Sequence, residues 1–169
     1  MQKKDDKVSI VFDKLKDMNT RYTSKHGTVS RPPYELYMSF ADMRNFLQML
    51  PEDKKQGVTA DFDSLDATVQ GFHIGVQVKS RVPYSLIEIE DRDAPFHFNV
   101  ALHFDAADHP AKTDFHIEVA AEINLMLKMV LGNKIQGALD KVVDSLVDIS
   151  EGRMPEGFDP SQFPSGFNR

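Results

Sequence analysis

The chain has 169 residues, 41% of them hydrophobic and 27% charged, which suits one domain with a real core and argues against wholesale disorder or residence in a membrane. A net charge of −6 without any basic stripe argues against nucleic acid as a partner. The absence of cysteine excludes disulfides, thiolate zinc sites and cysteine nucleophiles.

The first twenty residues form a polar lead in which Val8, Val11, Phe12, Leu15 and Met18 recur at helical spacing. The apolar run Val8 to Phe12 is too short for a signal-peptide core, and no run approaches the roughly 18 apolar residues of a membrane span, so a cytoplasmic location is expected. Arg21 to Arg31 is rich in Tyr, Thr, Ser and Val and reads as a strand ended by Pro32 and Pro33. From Tyr34 to Leu50 apolar residues come three and four apart, with Asp42 as a cap dividing two short helices and Pro33 suited to the first turn.

From Val58 to Ile123 the period becomes two, and turn residues mark successive antiparallel strands. The two longest carry Phe96, Phe98, Val100, Leu102 and Phe104 on one face, and Phe115, Ile117, Val119, Ala121 and Ile123 on the other strand's matching face. Asn124 then caps a helix to about Ile149 with an apolar face of Leu125, Met126, Met129, Val130, Ile135, Leu139, Val142, Val143, Leu146 and Ile149. Residues 152–169 form a Pro- and Gly-rich tail with Phe158, Phe163 and Phe167. The pattern predicts an α+β domain over residues 21–151. A curved antiparallel sheet of about six to seven strands, with a polar outer face, wraps the long C-terminal helix, and two short helices follow the first strand.

This order resembles the helix-grip fold of the START-like (SRPBCC) superfamily. The stretches Phe40-Ala41-Asp42-Met43-Arg44-Asn45-Phe46, Leu50-Pro51-Glu52-Asp53-Lys54, Ser85-Leu86-Ile87-Glu88-Ile89-Glu90 and Asn124-Leu125-Met126-Leu127-Lys128-Met129 are similar to uncharacterised bacterial proteins, common in Bacteroidetes, filed under polyketide cyclase and dehydrase. The resemblance implies a cavity between sheet and helix. It implies no particular activity, because the superfamily spans lipid carriers, hormone receptors, cyclases and chaperone cofactors.

The expected cavity lining is Tyr37, Val78, Ile89, Phe96, Phe98, Val100, Phe104, Phe115, Ile117, Val119, Met126, Met129 and Val130, apolar as small-molecule sites usually are. The competing reading is that these side chains fill the core. Tyr34, Tyr37, His73, Arg81, Tyr84 and Asn124 are the polar residues expected near a cavity mouth, where one would serve as a proton donor or acceptor. His97, His103 and His116 are expected on the outer sheet face with Asp114, Glu118 and Glu122, and His103 opposite Asp114. His97 and His103 lie about 20 Å apart along an extended strand, so no metal site is expected. No glycine-rich phosphate loop or catalytic triad is present, and no cofactor is implied.

Three functions are compatible with these residues. The first is carriage of a small apolar ligand, lipid or polyketide-like. The second is a cyclase- or dehydratase-type enzyme with an ionisable residue inside the cavity. The third is a protein-interaction module with a filled core, using the outer sheet face or the tail. A tail that folds back would either cap a cavity or bridge a homodimer.

Overall fold

A computed structural model describes residues 20–50, 52–69 and 71–153. The amphipathic turns expected before Thr20 and the tail aromatics Phe158, Phe163 and Phe167 lie outside these residues. The strands are β1 (Thr20–Thr23), β2 (Gly27–Val29), β3 (Val58–Ala60), β4 (Ser64–Val69), β5 (Phe72–Val82), β6 (Leu86–Asp93), β7 (Phe98–Ala106) and β8 (Thr113–Ala121). The helices are α1 (Pro33–Ala41), α2 (Arg44–Met49) and α3 (Leu125–Ser150), with a 3₁₀ turn at Glu52–Lys54.

The eight strands form one antiparallel sheet in the order β1-β8-β7-β6-β5-β4-β3, and β2 also pairs with β8. One strand was expected where β1 and β2 stand. The pairings Thr23↔Glu118 and Gly27↔Phe115 leave three residues, Ser24, Lys25 and His26, facing two on β8, which is a bulge. Ser24 spans it by donating its N–H to the Ile117 carbonyl and accepting the Ile117 N–H at its Oγ, both at 2.8 Å. Two further register shifts on β5, at Gly75/Val76 and Val78/Ser80, add to the curl of the sheet.

Pro33 opens α1 where its missing N–H costs nothing, and Pro32 offers its carbonyl to the Glu35 and Leu36 amides. The buried face of α1, Leu36, Tyr37 and Phe40, covers β6 and β7. Arg81 then fastens the end of α1 to the β3–β4 connection. Its guanidinium donates to the carbonyls of Ala41 and Phe62, pairs with Asp63, and stacks over the Phe62 ring at 4.2 Å. Asn124 caps α3 as expected, its Oδ1 accepting the Leu127 N–H at 2.8 Å.

The stretch of α3 from Gln136 onward is stitched to the β1–β2 corner. Gln136 donates to the Thr23 carbonyl, the Lys25 N–H donates to Asp140, and the Ser30 N–H donates to Ser150 Oγ. Among the described residues, no helix is long and apolar enough to cross a membrane.

Candidate functional site

Strand parity decides which side chains face α1 and α3. Leu102 and Phe104 of β7 are buried, so Phe98 and Val100 share their face. Phe115, Ile117, Val119 and Ala121 of β8 stand opposite them. Ile89 pairs with Val100, and Val78 pairs with Ile89, which carries the inner face across to β5.

This face has two unlike halves. Beneath α1 it is filled: Phe104 and Phe115 have ring centroids 5.5 Å apart, Phe40 stacks on Phe115 at 6.2 Å, and Tyr37 meets Phe104 edge-on at 5.8 Å. Leu36, Ile87, Leu102 and Ile117 complete this core. Farther along the same strands Val78, Phe98, Val100 and Val119 are only half-buried. Phe96, which precedes β7, is half-buried too, and its ring lies 5.8 Å from that of Phe98.

The helix mirrors this division. Val143 and Val147 press on β2 at Gly27, whereas Leu125 and Met129 are exposed. Each of these lies 18 residues before its valine, which is five helical turns, so Leu125 and Met129 continue the stripe that faces the sheet. Met126 and Met129, expected to line a cavity facing the inner phenylalanines, are 74% and 77% exposed, and Val130 is exposed as well. Helical periodicity identifies the stripe without revealing how far along it the sheet reaches. Of the expected lining, Tyr37, Ile89, Phe104, Phe115 and Ile117 are therefore buried core, five residues are half-buried, and the three helix residues stand open.

Two polar groups that the sequence reading missed lie along the half-buried strip. Tyr22 pairs with Val119 and so faces inward; its Oη is buried, has no hydrogen-bond partner, and lies 3.3 Å from where a Cβ on Gly132 of α3 would stand. Asp91 shares the parity of Ile87 and Ile89, and its carboxylate accepts the Phe98 N–H and pairs with His97 Nδ1, both at 2.8 Å. The alternation signal for Tyr22 was present, but it lacked a fixed register across the bulge. Asp91 is one of several consecutive charges at the end of β6, and nothing in the sequence sets it apart from them.

The polar residues expected at the mouth mostly have structural partners. Tyr84, in a left-handed turn conformation at φ 65°, holds an edge-on contact with Tyr37 at 5.6 Å and another with Tyr34 at 6.5 Å. His73 bridges Asp66 and Asp93, Arg81 is the latch described above, and Asn124 is a cap. A depression beside β4 and β5 is lined by Asp61, Asp63, Ser64, Gln77 and Arg92 together with Phe62 and the expected lining residue Val78, a predominantly polar surface.

On the outer face His103 sits opposite His116, not Asp114, because the hairpin register pairs Asp105 with Asp114. His97 leaves this set for Asp91. His116 is buried between the rings of His26 and His103, at 4.1 and 4.3 Å. Burial first, and then the charges of His103 and His26, hold its pKa below the ordinary histidine value, against the opposing pull of Glu118 and Asp105. A lowered folded-state pKa means that the unfolded chain binds the proton more readily. The stability from neutral His116 is therefore complete above about pH 6.5 and is lost as pH falls through that value toward the folded pKa. In chelator, the urea midpoint is expected to drop between pH 7.5 and 5.5, and His116→Gln is expected to flatten that drop. An unchanged slope in the variant would assign the loss to other groups.

No family model matches the chain, and no curated protein matches it. Solved structures do. A protein from Thermobifida fusca superposes with a TM-score of 0.61 at 9% identity, covering 80% of this chain and 97% of its own. Norcoclaurine synthase from Thalictrum flavum, a point mutant in complex with a transition-state analogue, gives 0.61 at 10% identity over 79% and 94%. A START superfamily protein from Mycobacterium smegmatis gives 0.52 at 15% identity over 75% and 98%. With an antiparallel sheet curled toward one long C-terminal helix, and two short helices after the first strands, the chain has the START-like helix-grip fold.

Proposed function

We propose that the protein binds a small, largely apolar molecule, a lipid, fatty acid or polyketide-like compound, between the half-buried strip of the sheet and the first turns of α3. The observation that carries this reading is the buried, unpartnered Tyr22 Oη in the strip of Phe98, Val100 and Val119, whose other polar group, Asp91, stands at its end. A buried hydroxyl without a partner costs about 1–3 kcal/mol, and a ligand that supplies the missing hydrogen bond recovers it. Exposed Leu125 and Met129 on the facing stripe offer adaptable apolar surface that a ligand would cover. Norcoclaurine synthase, of the same fold, is described as holding a transition-state analogue, which supports room for a small molecule in this architecture.

Native mass spectrometry of protein purified from its host is expected to find a stoichiometric apolar molecule, and fatty acids are expected to raise the melting temperature. Tyr22→Phe is expected to leave the fold intact and weaken ligands with a polar head roughly five- to tenfold, the worth of one hydrogen bond, without affecting plain hydrocarbons. Bare protein with no thermal shift from fatty acids or polycyclic compounds would sink the proposal.

A cyclase- or dehydratase-type enzyme is the second reading, favoured by one observation. Asp91, its side chain only 10% exposed, fixes the His97 imidazole by Nδ1 at the end of the same strip, the way a carboxylate orients a general base. His97→Gln separates the two readings: a carrier keeps its ligand affinity, whereas an enzyme loses turnover of that ligand.

A further inference from the structure

The outer face of the sheet carries a second chemical feature. The bulge at Ser24–His26 brings His26 beside His116, and the β7–β8 register sets His103 on the other side. Three imidazoles from adjacent positions thus stand in a row, the middle one 7% exposed. Two nitrogens in this row, His116 Nδ1 and His103 Nε2, are buried without a hydrogen-bond partner. Each such orphan costs about 1–3 kcal/mol, so the arrangement invites a group that satisfies them.

Glu118 supplies the missing geometry. Its Oε1 lies 3.4 Å from His116 Nε2 and 3.6 Å from His103 Nε2. Ligand atoms held about 2.0–2.1 Å from one tetrahedral ion stand roughly 3.4 Å from each other, so this oxygen already sits at ligand spacing from both nitrogens. We propose that His103, His116 and Glu118 bind one divalent transition-metal ion of the zinc class on the outer face of the sheet.

Two imidazoles and a carboxylate suit zinc, nickel or copper and disfavour magnesium or calcium, which demand all-oxygen shells. Three protein ligands leave a fourth position for water. Coordination turns the two rings out of their parallel stack, now at an interplanar angle of 2°, so that their lone pairs converge. With Nε2 on the ion, the proton of His116 resides on Nδ1, and the same turn of the ring must bring it within hydrogen-bond reach of the Asp105 carboxylate, now 3.8 Å away, for that carboxylate to act as the orienting acceptor. His26, paired with Asp114 at 2.9 Å, covers the remaining side of the His116 ring.

The test is titration of the untagged, chelator-stripped full chain with zinc chloride, followed by calorimetry and thermal shift. One ion per chain is expected, with a rise in melting temperature that EDTA reverses, and no response to magnesium chloride. Glu118 is exposed, so Glu118→Gln keeps the fold, which an unchanged urea midpoint in chelator verifies; it and His103→Gln are each expected to weaken zinc at least tenfold. His109→Gln, in the β7–β8 turn, is expected to change nothing. Absence of zinc binding, or zinc binding that survives the His103→Gln/Glu118→Gln double variant, overturns the proposal.

Discussion

Phe115→Ala is expected to lower the unfolding free energy by about 3–5 kcal/mol, read as a lower urea midpoint at unchanged slope. Phe115 is 1% exposed on β8, between β2 and β7 in the sheet, and its ring packs on Phe104 and Phe40. The cost of such a truncation depends on how far the surroundings collapse into the space left behind. Collapse here is resisted at both ends of α1: Pro32 and Pro33 fix its start, and Arg81 holds the Ala41 carbonyl at its end. Val100→Ala, on the half-buried part of the neighbouring strand, is expected to cost only about 1 kcal/mol, because less apolar surface returns to water and little cavity forms. A loss at Val100 of about 2–3 kcal/mol, the cost of emptying a fully buried valine, would contradict the division of the inner face into a filled half and a half-buried one.

That division marks where sequence reasoning stops. Alternation along β7 and β8 was legible because one face stays apolar from Phe98 to Ala106 and from Phe115 to Ala121, and Asn124 announced the start of α3 by its capping chemistry. Register was not legible. The connection from Ala106 to Lys112 closes in more than one way, and the shift that sets His103 opposite His116 in place of Asp114 changes a mixed-charge surface into an imidazole stack. The bulge at Ser24–His26 has no glycine or proline to signal it, so neither the inward turn of Tyr22 nor the approach of His26 to His116 was readable. Arg81 looked like a cavity residue because its partners, Ala41, Phe62 and Asp63, are distant or unremarkable in sequence. Long-range hydrogen bonding of that kind leaves no periodic trace.

Gly27→Ala is expected to cost at least about 1–3 kcal/mol and to displace α3, although it adds a single methyl group. A Cβ at Gly27 would lie 2.5 Å from Val143 Cγ1 and 2.8 Å from Val147 Cγ2. Both neighbours are β-branched and held to one rotamer in a helix, so neither swings aside cheaply. The helix must move instead, and it is tethered on either side of the contact through Gln136, Asp140 and Ser150. Lifting α3 at Gly27 changes its tilt over Tyr22, so affinity for the proposed apolar ligand is expected to change together with stability. Gly137→Ala is the internal comparison: nothing lies within 4 Å of its added Cβ, and restoring helix propensity is expected to stabilise by about 1 kcal/mol. A double-mutant cycle locates the strain. If the Cβ clash is responsible, Val143→Ala costs markedly less in the Gly27→Ala background than alone, because the methyl groups it removes are those that the new Cβ meets. Additive losses would place the cost of Gly27→Ala within β2 itself, and the close crossing of strand and helix would not be what sets the angle of α3.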